Sequence, residues 1–193
     1  IAGEATAIMG AEPDAVVLAT GARYLKAVEV LAEGCQTRVV GAADYLMDPD
    51  MELFNLVAVL GGGELGCQAA LRLARSGHMV MLFERRPDLA MDMVGGVRQF
   101  LLKELADAQV QAITNAEVVG VSADERVTIV VNGSERETFP PASVIVALGR
   151  ASRNELAPLQ QSLDVPVHII GDAAEPRTIH HAVWEGAQVG RLL

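Results

Sequence analysis

Short continuous apolar runs, each stopped by glycine, proline or a charged residue, punctuate this chain. They are too short for helices and lack polar alternation, so they read as parallel strands buried on both faces. DAVVLATGA (14–22), bounded by Pro13 and Gly21, is the first. From 23 to 47 helical and extended signals mix around Gly34 and Gly41. Within that stretch QTRVVGAADYL gives a short strand, then a short helix through Tyr45. MDPDMELF is a turn-rich link.

The pattern then sharpens. Leu56–Leu60 is a strand, and 79–84 is a second one. Between them 64–76 is a helix, with Leu65, Ala69, Leu73 and Ala74 on or near one face and Ser76-Gly77 closing it. A further helix over 97–108 carries Phe100, Leu101 and Leu105 at helical spacing, and 110–114 is a third strand. AEVVGVSADERVTIVVNGSERETF instead alternates, broken at Ala123-Asp124 and Asn132-Gly133. Two or three antiparallel strands with tight turns fit it. ASVIVALGR (142–150) is again a buried strand; another ends at Gly171-Asp172, and a helix runs from about 178 to the C-terminus. LATGA and VALGR end alike and bracket the central unit, as the two edges of an inserted domain would.

The junction at 61–66 carries candidate chemistry. Gly61, Gly63 and Gly66 meet GxGxxG between a strand and a helix. Gly61 permits the tight turn, Gly63 lets a pyrophosphate approach the backbone, and Gly66 allows close helix–strand packing. Gly62 completes the run, and the first free N–H groups of the helix, at Glu64 and Leu65, face the phosphates. Glu84 follows Gly66 by 84 − 66 = 18 positions, near the roughly 20 at which an acid meets the adenosine ribose. That favours NAD(H) over NADP(H). Arg85 and Arg86 keep the alternative open, because a guanidinium there can pair with a 2′-phosphate.

Composition narrows the partners. Hydrophobic residues make up 51% of 193 residues, enough for a core, and the net charge of −10 repels nucleic acid and anionic membranes. Aromatics, at 4%, do not favour base stacking. No run approaches the roughly 20 apolar residues of a membrane span. Cys35 and Cys67 read as buried thiols in a reducing compartment, so a cytoplasmic setting is expected. The opening IAGEATAIMGAEPDAVV reads like the middle of a longer polypeptide.

With PDAVVLATGA, the glycine-loop unit, VIVALGRASRNEL and HIIGDAAEPRTIHHAVWEG in place, the chain resembles the two-dinucleotide-domain reductases. The resemblance is closest to the C-terminal half of the NADH:flavin oxidoreductases of the 2,4-dienoyl-CoA reductase, 2-enoate reductase and trimethylamine dehydrogenase group. It implies an α/β fold: a Rossmann-like NAD(P)-binding domain at 37–150, with a parallel sheet plus a small antiparallel meander, inserted into a partial FAD-type domain at 1–36 and 151–193. It further implies an N-terminal TIM barrel outside this chain, carrying FMN, a 4Fe-4S cluster and the substrate site. Gly149 matches the loop near the nicotinamide. Gly171 and Asp172 match the family's GD, whose carboxylate meets the FAD ribityl chain, and Thr20 and Gly21 match the crossover beside the flavin. A first glycine loop for the FAD adenine half is not present before DAVVLATGA.

The implied function is NAD(P)H binding and hydride delivery to FAD, with no side chain nominated as acid or base. The alternatives are a non-catalytic ADP-holding module of the same family and a fragment of a disulfide reductase. A homo-oligomer is left open. No metal site is expected: His180 and His181 are adjacent helical positions pointing about 100° apart. The start of that helix, near Thr178 and Ile179, would instead face the flavin ring. His168, Trp184, Met91 and Met93 are expected to be packing residues.

Overall fold

The computed structural model describes residues 10–25, 37–48, 50–122, 126–131, 133–137 and 143–193. Its contacts gather into two units, Tyr24–Gly149 and the discontinuous pair Ile1–Arg23 with Arg150–Leu193. The expected boundaries stood at 36/37 and 150/151.

The continuous unit holds a parallel sheet of β3 (Arg38–Gly41), β10 (Ser143–Val146), β4 (Leu56–Leu60), β5 (Met79–Phe83) and β6 (Gln111–Ile113), in that spatial order. Its helices are α1 (Ala42–Met47), α2 (Glu64–Arg75) and α3 (Gly95–Asp107). β7 (Ala116–Val121), β8 (Val127–Val131) and β9 (Ser134–Glu137) form an antiparallel meander. Strand alternation sorts the side chains onto two faces. Val57, Val59, Leu82 and Ile145 join the helices in one buried cluster, where Cys67, Ala69, Ala70 and Leu73 of α2 meet them. Ala58, Leu60, Phe83, Val144 and Val146 join Ala116, Val121, Val127 and Ile129 in a second. Both faces of the sheet are therefore covered, which is why its strands read as unbroken apolar runs. The mixed α/β class with parallel sheet and small meander is the one expected.

Two helix ends close with the same device. Gly77 (φ +92°) donates to Ala74 O and His78 to Leu73 O, a Schellman motif after α2. After α3, Gln109 donates to Ala106 O and Val110 to Leu105 O, but the left-handed position is held by Gln109 (φ +59°). On α3, Leu101 and Leu105 are buried, whereas Phe100 faces solvent beside Val97. Helical spacing had grouped Phe100 with the core; it lies one position off the stripe.

In the discontinuous unit β1 (Val16–Leu18) pairs in parallel with β12 (Val167–Ile169). A short helix α4 (Leu159–Ser162), a 3₁₀ turn at Gly171–Ala173 and α5 (Ile179–Leu192) complete it. β2 (Ala22–Tyr24) and β11 (Arg150–Ser152) pair where the chain passes between units. Neither this ribbon nor α4 carried a sequence signal. Trp184 is 54% exposed, so among the described residues the expectation that it packs is not met. Met91 is exposed as well, whereas Met93 does pack against the first buried cluster. No described helix is long and apolar enough to cross a membrane.

Candidate functional site

The glycine loop leaves β4 at its C-terminal end and turns into α2. Gly61 has φ +100°, and a Cβ there would lie 2.3 Å from Ala147 O. A Cβ on Gly66 would lie 1.8 Å from Gly61 O, so the first turn of α2 rests on the loop itself. Gly62 is as constrained: a Cβ would meet Leu89 Cδ2 at 2.6 Å and Glu84 Cβ at 2.8 Å. The sequence pattern gives reasons for Gly61, Gly63 and Gly66; the middle glycine is needed because the segment after β5 packs on top of it. Ala90 N–H donates to Gly62 O at 2.7 Å and fixes that segment.

Glu84, just past β5, is buried with a partner on each carboxylate oxygen. Its Oε2 accepts from Gly62 N–H at 2.6 Å, and its Oε1 from Arg86 N–H at 2.8 Å and Arg86 Nε at 3.3 Å. The carboxylate thus ties the glycine loop to the end of β5. Oε2 accepts one bond here and retains a second lone pair for a hydroxyl donor.

Arg86 is half-exposed and its guanidinium stands between two acids, with Glu84 on one side and Asp92 at 4.0 Å on the other. Arg85 is exposed. Asp92 was not singled out in the sequence. It caps α2: both of its oxygens accept from Glu64 N–H, at 2.9 and 3.1 Å. Glu64 itself accepts at Oε1 from Gln68 Nε2, and the Leu65 side chain packs into the core.

Gly61, Gly63, Glu84, Arg86, Asp92 and Gly149 share the lining of one cavity of about 560 Å³. Gly149 (φ +98°) follows β10 and its carbonyl accepts from Leu25 N–H at 3.0 Å. The structure therefore places Gly149 in the same cavity lining as Gly61 and Gly63.

Thr20, Gly21, Gly171 and Asp172 lie in the discontinuous unit. Thr20 Oγ1 donates to Arg153 O, and Gly21 O accepts from Arg153 N–H at 2.8 Å. Asp172 accepts from Arg177 N–H at 2.9 Å and pairs with Arg150. Gly171 N–H donates to Glu185 Oε2 at 2.6 Å, and Glu185 also pairs with Arg177. Those donors, Gly171 N–H first and the Arg177 guanidinium second, hold the Glu185 carboxyl below the usual range. His180 and His181 stack edge-on, and His181 Nδ1 lies 2.9 Å from Thr178 Oγ1.

Comparison with known proteins decides the family. Residues 6–184 match the pyridine nucleotide-disulphide oxidoreductase family. The chain belongs to that family. Among curated relatives it is similar to an NADH oxidase of Thermoanaerobacter brockii, 31% identical over 98% of this chain and 29% of that protein. A cinnamate reductase of Clostridium sporogenes is 28% identical over 92% of this chain and 26% of that protein. Of solved structures, a histamine dehydrogenase from Rhizobium sp. 4-9 superposes with TM-score 0.79 at 20% identity, over all of this chain and 32% of that one. A 2-naphthoyl-CoA reductase gives 0.74 at 24%, over 97% and 28%. The chain spans less than a third of the length of these relatives. It is a nucleotide-binding region of the oxidoreductase kind, and the resemblance to the NADH:flavin oxidoreductase group stands.

A pyridine nucleotide-disulphide oxidoreductase can also work through cysteines. Cys67 on α2 is buried, its thiol donates to Gly62 O at 3.2 Å, and burial pushes it up to about 12. Such a thiol is inert at neutral pH. Cys35 lies outside the described residues.

Proposed function

We propose that this chain binds NADH on the Gly61–Gly66 loop and serves a flavin-dependent reductase, with FAD held in part by Thr20, Gly21, Gly171 and Asp172. The supporting observation is the loop itself: backbone that admits no Cβ at Gly61 or Gly66, at a helix N-terminus, bordering a cavity at Gly61 and Gly63 with a buried carboxylate beside it. The residues present fit a dinucleotide. α2 would face the pyrophosphate through the Glu64 and Leu65 N–H groups, Oε2 of Glu84 would accept from a ribose hydroxyl, and Gly149 would border the nicotinamide half. Asp172 keeps a spare lone pair on each oxygen for a ribityl hydroxyl. When bound, reduced nicotinamide supplies a hydride and flavin receives it. The chain's own work is to bind, orient and hold the carboxylates in place.

Arg86 is already engaged by Glu84 and Asp92, so a 2′-phosphate would compete with two acids for it; this favours NADH over NADPH. The remaining electron carriers of the resembled group, FMN and 4Fe-4S, would sit in a barrel outside this chain, in the cytoplasm. Isothermal titration of the chain with NADH, NADPH and ADP tests the reading. NADH should bind about tenfold tighter than NADPH, and Glu84→Gln should narrow that ratio. ADP bound as tightly as NADH would favour a structural nucleotide-holding role, and preference for NADPH would overturn the cofactor assignment.

A further inference from the structure

The N–H of Glu64 belongs to the first turn of α2, where the proposed site would receive a pyrophosphate oxygen. In this structure a carboxylate is already there. Both Asp92 oxygens lie within 3.1 Å of that N–H. A Cβ on Gly63 would come within 3.0 Å of Asp92 Oδ2, so the carboxylate fills the space that the second glycine of the pattern leaves open. Gly63 supplies no side-chain cap of its own, and Asp92 answers for it from 28 residues away.

The segment holding Asp92 is pinned on both sides. Ala90 N–H is bonded to Gly62 O, Met93 N–H to Ala90 O at 3.0 Å, and Arg98 Nε to Leu89 O at 3.0 Å. The backbone is thus clipped to the glycine loop and to α3. The Asp92 side chain remains half-exposed, and Arg86 Nη2 stands 4.0 Å from Oδ1 as a second partner. None of these backbone pins involves the Asp92 carboxylate, so the side chain can leave the Glu64 N–H without breaking them.

We propose that Asp92 is an internal stand-in for the phosphate: it caps α2 in the free protein, and a dinucleotide pyrophosphate must displace it to bind. This rests on the reading of the loop as a dinucleotide site. Asp92 therefore lowers nucleotide affinity while stabilising the free chain. A carboxylate left in place beside the incoming phosphates would also repel them.

The test titrates wild type, Asp92→Ala and Asp92→Asn with NADH, ADP and adenosine, and records melts with and without NADH. Asp92→Ala should lower the melting temperature of the free protein and yet tighten NADH and ADP about five- to tenfold, the worth of one cap. Asp92→Asn keeps a capping oxygen but not the charge, so it should fall between the two with little loss of melting temperature. Adenosine, which has no phosphate, should bind all three alike. Affinity for NADH and ADP that is unchanged or weaker in both variants overturns the inference while leaving the dinucleotide site intact. Tightening that extends to adenosine overturns it too, since the gain would then come from a wider cavity. NADH and ADP failing to bind any of the three proteins would remove the dinucleotide site, and this inference with it.

Discussion

The two units are held together by different physics. Tyr24–Gly149 covers both faces of its sheet with apolar side chains, and Val57, Val59, Leu60, Leu73 and Leu82 have no exposure at all. Among the described residues, the discontinuous unit buries few side chains beyond Val16, Leu18, Leu159, Ala173 and Val189, and leaves Ile179, Val183, Trp184 and Leu192 open along α5. Its ordering comes from a two-stranded parallel pair and from the charged chain Arg150–Asp172–Arg177–Glu185. The lesson is that the glycine-loop unit carries its own hydrophobic driving force, whereas the other is arranged by polar contacts sensitive to pH and salt.

The sharpest break of that contrast is at Gly66. Gly66→Ala puts a methyl group 1.8 Å from Gly61 O, against backbone that cannot yield cheaply. We expect a loss of about 3 kcal/mol or more, read by urea denaturation, together with loss of nucleotide binding. Next come paired truncations on the two units. Leu73→Ala should cost roughly 2–5 kcal/mol, while Trp184→Ala should stay within about 0.5 kcal/mol. Equal losses would show that α5 is packed in solution and would end the contrast.

The pH dependence sharpens it further. Glu185 has its carboxyl depressed on folding, so its stabilising contribution is present above the ordinary carboxylate range and is lost as pH falls through its lowered value. Hydrogen-exchange protection across α5, corrected for the intrinsic rate at each pH, should therefore fall on acidification before protection in β4 and β5 does, and Glu185→Gln should flatten that response. The smallest effect compares two like helix ends. Gln109→Gly relieves a left-handed residue that Gly77 already avoids, and should stabilise by up to about 1 kcal/mol in a thermal melt.

How much of this was legible follows the same division. β4, α2 and β5 are nearly as the sequence places them, because each has one dominant signal: an unbroken apolar run, a Gly-opened helix, a Ser-Gly stop. Phe100 misled because helical spacing identifies a stripe but not which of two adjacent apolar residues lies in it. Trp184 misled because residue type does not say which face of a helix is covered, and among the described residues it stands 54% exposed. The β2–β11 ribbon had no pattern to read: Ala-Arg-Tyr and Arg-Ala-Ser are three-residue strands with neither an apolar run nor a regular alternation. At the site, the glycines and Glu84 were visible from their spacing. Asp92 was not, since its partner, Glu64 N–H, is remote in sequence and donates from the backbone, which leaves no mark in residue type.

One feature of the sheet bears on how the chain comes into being. β10 is the last described strand of its unit to be synthesised, yet it sits between β3 and β4, whose partners of Ser143 were made 143 − 38 = 105 and 143 − 57 = 86 residues earlier. Until Ser143–Val146 has left the ribosome, β3 has no neighbour and the inner edge of β4 is bare. A nascent chain stopped before Ser143 can form α2 against β4 and β5 but cannot close the sheet. The glycine loop waits as well, because the backbone that presses on Gly61 is Ala147, immediately beyond that strand. Shape at the glycine loop is therefore a late event in synthesis, completed by a segment that carries none of the loop's own residues.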